Sequence, residues 1–160
     1  MWTALYAVSI VLVNWMFMAV APWSTPLGDL YLANIVVGFV FVLRDYAQRE
    51  LGHFVLFATA AAGVLTWFMV DPAIAVASIA AFIISETADW AIYSFTRRPL
   101  SQRILISSLF AVPLDTVAFQ YLANYLTPAA FTTEVASKAV GVMIVWFLLR
   151  SRDRKLAIAA

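Results

Sequence analysis

Two carboxylates lie one helical turn apart in residues 85–99, "SETADWAIYSFTRRP", directly after a long apolar run. The spacing i, i+3, i+4, i+7 places four residues on one face of a helix: Glu86, Asp89, Trp90 and Tyr93. That face would be acidic at its centre and aromatic around the acids. An aspartate in the middle of a membrane helix costs about 2.5–3.5 kcal/mol, so such acids normally mark a binding site or a pathway.

Two further apolar segments carry polar residues at helical spacing. Near 30–51 these are Asn34, Asp45 and Gln48, and near 104–123 they are Ser108 and Asp115, with the aromatic Phe119 one turn later. We therefore expect three helices to turn one carboxylate face each toward a common centre. The alternative is a structural ion network, in which Arg44 or Arg103 neutralises the acids, or in which Asp45 pairs with Arg49 four residues later.

A cavity lined in this way predicts the chemistry of its ligand. Carboxylates accept hydrogen bonds and can do so in bidentate fashion, while aromatic rings stack on flat ligands. Asn and Gln add both donors and acceptors. The combination suits a planar heterocycle with an N–H edge or a small organic cation, and the residue types alone leave both open.

The composition requires a bilayer around these helices. The 160-residue chain is 64% hydrophobic and 12% charged, whereas soluble domains are about half apolar and about a quarter charged. Six apolar segments follow one another with short connections, near 2–21, 30–51, 54–70, 73–95, 104–123 and 135–150. We predict an all-α membrane protein, a six-transmembrane-helix bundle forming a single domain over residues 1–160.

The distribution of Lys and Arg predicts the orientation. Alternate connections are basic, with Arg49, Arg97, Arg98, Arg103, Arg150, Arg152, Arg154 and Lys155. The other connections hold Asp29, Asp71 and Glu134, with only Lys138 as a basic residue, near the start of the sixth segment. Because cytoplasmic loops carry the excess of positive charge, we expect both termini to be cytoplasmic, which requires an even number of spans.

The chain lacks the residues that several classes of function require. The chain has no Cys, no G-x-x-x-x-G-K-[ST] phosphate-binding loop and no basic stripe for nucleic acid. Its single histidine, His53, lies at a membrane edge, and no cluster predicts a metal or a cofactor. We therefore expect no enzyme, although an aspartyl enzyme using Glu86 with Asp89 is one alternative and a channel is another.

Three motifs in order resemble one family: "RDYAQRELGH", "SETADWAIYSFTRRP" and "SQRILISSLFAVPLDTVAFQ". Together they are similar to the queuosine precursor transporters, the VUT family, over about residues 30–125. The resemblance implies a multi-pass protein of the inner (cytoplasmic) membrane. It would import a 7-deazaguanine base such as preQ0 or preQ1, which is used in tRNA modification.

The resemblance also implies roles for the residues above. Glu86 or Asp89 would accept hydrogen bonds from the base, and Gln48 and Asn34 would meet its carbonyl or five-membered ring. Trp90, Tyr93 or Phe119 would stack on it, whereas Asp45 and Asp115 would complete the site beside Ser108 or pair with Arg44 and Arg103. The alternative is a substrate-binding membrane subunit for another planar heterocycle or vitamin, working with an external energising module. A homodimer is left open.

Overall fold

The fold is a bundle of α-helices, and the computed structural model describes residues 1–26, 28–69, 71–96 and 99–159. The helices are α1 (Trp2–Ala19), α2 (Leu32–Leu51), α3 (Val55–Met69), α4 (Pro72–Phe95), α5 (Leu100–Leu122) and α6 (Pro128–Ala159). A small antiparallel hairpin of β1 (Trp23–Thr25) and β2 (Gly28–Leu30) joins α1 to α2, with Ser24 opposite Asp29. The predicted all-α class is thus confirmed, with this hairpin added.

The first three helices alternate in direction. Trp2 packs on Tyr46 with ring centroids 4.4 Å apart, and Phe17 packs on Tyr31, so α1 and α2 are antiparallel. Tyr6 bonds to Thr59 and Asn14 to Thr66, so α1 and α3 run in the same direction. The chain therefore reverses between α2 and α3, at a 3-10 turn (Gly52–Phe54) that begins with Gly52 at a φ of +61°.

The remaining helices continue this alternation, as six cross-helix contacts show. Gln48 donates to Ser94 and Arg44 to Glu86, so α4 is parallel to α2. Ser85 bonds to Asp115 while Arg103 covers the ring of Tyr93, so α5 is antiparallel to α4. Gln120 bonds to Glu134 while Trp146 bonds to Ser101, so α6 is antiparallel to α5. Consequently α1 begins and α6 ends at the same end of the bundle.

The outside of the bundle suits lipid. Five stretches of the described chain are long and apolar enough to cross a membrane: Trp2–Ala19, Leu32–Met69, Ile74–Phe95, Ser101–Leu122 and Pro128–Leu148. The second of these has 38 residues and contains α2, the 3-10 turn and α3. Large apolar side chains such as Phe57, Phe68 and Leu109 are exposed on the surface. These features fit a multi-pass membrane protein.

Helix α6 begins earlier than we predicted from the sequence, and this places the acid Glu134 inside the helix. We expected Glu134 in a connection, but α6 begins at Pro128 and carries Glu134 within it. Proline suits the first turn of a helix, and the Thr127 hydroxyl accepts a hydrogen bond from Ala130 N at 3.1 Å as an N-cap.

Arg97 and Arg98, which we used to predict the membrane orientation, lie outside the described residues.

Helices α2 and α6 cross at two glycines. A Cβ atom added to Gly38 would lie 2.1 Å from Lys138 O, and one added to Gly141 would lie 2.0 Å from Ile35 O. Small residues at such a contact allow two membrane helices to approach to backbone distance. This crossing fixes α6 against α2, one turn away from Lys138.

Candidate functional site: two buried ion clusters

The first site residues surround one guanidinium. The arginine cluster consists of Arg44, Asp45, Gln48, Glu86, Asp89 and Ser107. Arg44, fully buried at 0% exposure, donates from Nε to Glu86 Oε2 at 3.0 Å and from Nη1 to Gln48 Oε1 at 2.6 Å. The same Nη1 lies 3.2 Å from Asp45 Oδ1 and 3.1 Å from Asp89 Oδ2. One cation thus holds two helices together.

Other helices supply hydroxyl groups to this cluster. Tyr6 of α1 donates to Glu86 Oε2 at 3.1 Å, and Thr59 of α3 donates to the same oxygen at 3.4 Å. Ser107 of α5 donates to Asp45 Oδ2 at 3.2 Å. Five of the helices therefore meet at the arginine cluster, so movement of any one of them would disturb its contacts.

The arginine cluster holds more acceptors than donors. It has three carboxyl groups for one guanidinium, and all three are at most 1% exposed. Glu86 Oε1 and Asp89 Oδ1 are buried without a hydrogen-bond partner among the described residues, whereas Asp89 Oδ2 forms the ion pair with Arg44. A buried acceptor without a donor costs about 1–3 kcal/mol. The cluster could therefore accept a ligand that carries hydrogen-bond donors, or it could accept protons.

A second group, the lysine cluster, consists of Lys138, Asp115, Glu134, Thr116 and Gln120. The ammonium of Lys138 lies 2.7 Å from Asp115 Oδ2, 2.5 Å from Glu134 Oε1 and 3.1 Å from Thr116 Oγ1. Gln120 Nε2 donates to Glu134 Oε2 at 2.8 Å, while Gln120 Oε1 is buried without a partner. This cluster fastens α5 to α6 around one cation and two carboxyl groups.

The lysine cluster reaches the loop between α5 and α6. Tyr125, in that loop, donates to Glu134 Oε2 at a long 3.5 Å. Burial raises the pKa of the Tyr125 phenol, and the carboxylate of Glu134 raises it further. The phenol therefore stays protonated and acts as a donor. Tyr125 is itself exposed, so the contacts of the cluster extend to the bundle surface at this loop.

One serine joins the two clusters. Ser85 Oγ donates to Asp115 Oδ1 at 3.2 Å, and Ser85 directly precedes Glu86 on α4. A rearrangement of the Asp115 carboxyl group would therefore act on the turn of α4 that carries Glu86.

Comparison with protein-family models, curated proteins and solved structures gives no match.

Four predicted site residues meet in the arginine cluster with Arg44, namely Asp45, Gln48, Glu86 and Asp89. The predicted aromatic residues of α4 face elsewhere. Tyr93 is buried beneath Arg103, whose guanidinium carbon lies 4.4 Å from the ring centroid. Trp90 Nε1 donates to His53 Nδ1 at 3.1 Å. Arg103 thus makes a cation–π contact and pairs with no acid among the ion pairs described.

The other predicted residues lie apart from this centre. Asp115 belongs to the lysine cluster, and Phe119 packs edge-on against Tyr125 at 5.8 Å. Ser108 lines an apolar groove between α5 and α6, and its buried Oγ has no partner among the described atoms. Asn34 is also buried, and its Oδ1 is likewise unpaired in the described part. The acids and the rings therefore do not form one common cavity in this arrangement.

The sequence did not indicate the role of Lys138 in the lysine cluster, or of several hydroxyl groups in and beside the arginine cluster. Lys138 follows Glu134 by four residues, a spacing that could have indicated an ion pair on one helix face, had Glu134 been placed in α6. Tyr6, Thr59 and Ser107 gave no comparable signal, because isolated hydroxyl residues are common in apolar helices. Their role follows from helix packing alone.

Proposed function

We propose that this protein is a membrane transporter that imports a small planar solute rich in N–H donors, and that the solute is a 7-deazaguanine base such as preQ0 or preQ1. The observation that carries the proposal is the surplus of buried acceptor oxygens in the arginine cluster. The resemblance of the three motifs to queuosine precursor transporters supports the choice of base.

The free oxygens match the donor edge of such a base. A guanine-like edge presents N–H donors at N1 and at the exocyclic amine, and a carboxylate accepts two such donors in bidentate fashion. In our proposal Glu86 Oε1 and Asp89 Oδ1 receive these donors. Arg44 holds the second oxygen of Glu86 and thereby fixes the orientation of its carboxylate.

The same proposal includes six membrane crossings with both termini in the cytoplasm. The alternating helix directions support it, because α2 and α3 run antiparallel and can each cross once. The basic residues support the orientation, since Arg49 and Arg103 lie at the end of the bundle where the chain begins and where the later part of α6 lies. An inner-membrane location follows from the proposed substrate.

Transport would require the helices to move. Arg44, Asp45, Glu86 and Asp89 are almost completely buried, so the described arrangement corresponds to an occluded site. Alternating access by rocking of helices around a fixed midplane site is the usual solution in membrane transporters.

The test is uptake and binding of labelled preQ0 and preQ1. Cells that lack their own importer should accumulate the base when they produce the protein, and Glu86→Gln should abolish this uptake. Glu50→Gln is the matched control, because Glu50 is an exposed carboxylate at the end of α2, bonded to Thr3 outside the cluster. Failure of the purified protein to bind either base would overturn the proposal and leave the arginine cluster a structural ion network.

A further inference from the structure

We propose that the lysine cluster is the proton-coupling site of this transporter, separate from the arginine cluster where the base binds. This inference depends on the proposed function. The lysine cluster would take up one proton from the outer side and release it inside, once in each transport cycle.

The charge of the lysine cluster provides the first argument. With Lys138 as an ammonium and both Asp115 and Glu134 ionised, the cluster carries one negative charge in excess. An uncompensated charge inside a membrane protein is costly. A single proton added to either carboxyl group would make the cluster neutral.

Gln120 provides the second argument, because its amide can serve both charge states. With Glu134 ionised, Gln120 Nε2 donates to Glu134 Oε2 at 2.8 Å, and Gln120 Oε1 is buried without a described partner. A 180° rotation of the side-chain amide would exchange the positions of its oxygen and its nitrogen. A protonated Glu134 could then donate its O–H to Gln120 Oε1. The unpaired oxygen is the acceptor that the protonated state needs.

The lysine cluster is less deeply buried than the arginine cluster. The side chains of Asp115 and Glu134 are 15% and 11% exposed, whereas Arg44 and Glu86 are 0% and 1% exposed. Within α6, Glu134 contacts Lys138. From outside α6, it contacts the Tyr125 phenol of the loop, whose pKa is raised by burial, by Glu134 and also by Tyr31 at the start of α2. Protons would enter along this side.

Ser85 couples the proton to the base. It donates to Asp115 Oδ1, and protonation of the carboxyl pair would weaken this hydrogen bond and the contact of Asp115 with Lys138. Ser85 and Glu86 share one turn of α4, so the change reaches the carboxylate that receives the base. The proton moves from outer water to the Asp115–Glu134 pair and then to inner water, with no other bond made or broken.

The experiment uses the full protein in sodium-free liposomes with a pH-sensitive dye inside. Adding preQ1 or preQ0 outside should acidify the interior of wild-type vesicles, and an inward proton gradient should raise accumulation of the base. Glu134→Gln leaves a neutral Lys138–Asp115 pair without a proton site. We expect this variant to bind the base, and to exchange labelled for unlabelled base, as wild type does, but to lose both acidification and gradient-driven accumulation.

The outcomes separate the two proposals. Normal binding and uptake in wild type without acidification, or uptake driven only by a sodium gradient, would overturn proton coupling and leave the base site intact. Proton coupling by the lysine cluster would also be overturned if vesicles with Glu134→Gln acidify as much as vesicles with wild type or with Glu50→Gln. Absence of base binding by wild type would overturn the proposed function and the coupling with it.

Discussion

Arg44 Nε lies 3.0 Å from Glu86 Oε2, and this buried contact joins α2 to α4 at the centre of the bundle. The same guanidinium also reaches the backbone oxygen of Glu86 at 3.2 Å. The pair therefore fixes both the side chain and the backbone of α4 at this turn. It makes Arg44 a structural requirement for the site as well as a neighbour of the proposed ligand.

We expect Arg44→Gln to destabilise the protein strongly. Removal of one partner from a buried ion pair costs about 3–5 kcal/mol, because the remaining charges lack compensation. The double variant Arg44→Gln with Glu86→Gln should recover part of this loss, since it removes one uncompensated acid. Thermal unfolding in detergent measures both. Additive effects of the two substitutions would contradict the assigned contact.

Asp89→Asn should weaken binding of the base while the protein still folds. Asp89 Oδ1 lacks a described hydrogen-bond partner, so the substitution removes a charged acceptor that is open to a ligand. It also removes the ion pair of Asp89 Oδ2 with Arg44, but Arg44 keeps Asp45 and Glu86 as partners. Loss of a charged hydrogen bond of about 1.5–3 kcal/mol corresponds to binding about 10- to 100-fold weaker. Calorimetric titration with preQ1 measures this change. Asp29→Asn, in the exposed hairpin, is the control, and equal weakening by both variants would refute a role for Asp89.

Asp115→Asn should abolish concentrative uptake without preventing membrane insertion. The substitution retains an oxygen for Ser85 but removes the ion pair with Lys138 at 2.7 Å. Labelled-base uptake and membrane fractionation measure the two properties. Wild-type uptake by this variant would show that Asp115 is not needed for transport.

Much of the helical architecture was predictable, because a membrane imposes it. Long apolar runs interrupted by charged or Pro-containing segments identify helices, and α1, α2, α4 and α5 begin and end within a few residues of the expected positions. The start of α6 was misjudged, since "TPAAFTTE" has little hydrophobicity although Thr127 and Pro128 form a good helix start. The β1–β2 hairpin was missed because it is held by short local contacts such as Ser24 to Asp29.

The composition of the site was predictable only in part. Helical spacing placed Glu86 and Asp89 on one face, and both do meet Arg44. Spacing within one helix cannot say which neighbour that face meets. Asp115 therefore pairs with Lys138, and Trp90 turns toward His53, because the packing of α4, α5 and α6 decides these contacts.

The crossing of α2 and α6 should not accept a side chain at Gly141. A Cβ atom there would lie 2.0 Å from Ile35 O, so Gly141→Ala must push the two helices apart. Overpacking of this kind costs about 1–3 kcal/mol or more. Gly63→Ala is the control, because its Cβ atom would lie 3.8 Å from Ile79 Cγ2 and alanine favours a helix. If Gly141→Ala unfolds at the same temperature as Gly63→Ala in detergent, the close crossing is wrong.

Single cysteines should label from opposite sides of the membrane. The chain has no cysteine of its own, so each introduced thiol reports one position. Six crossings place Ser24→Cys and Leu126→Cys on the outer side and Phe54→Cys in the cytoplasm, and all three positions are exposed. A membrane-impermeant maleimide added to intact cells should react with the first two and reach the third only after the membrane is opened. Labelling of Phe54→Cys in intact cells would mean that α2 and α3 do not each cross the membrane, and the six-span topology would fail.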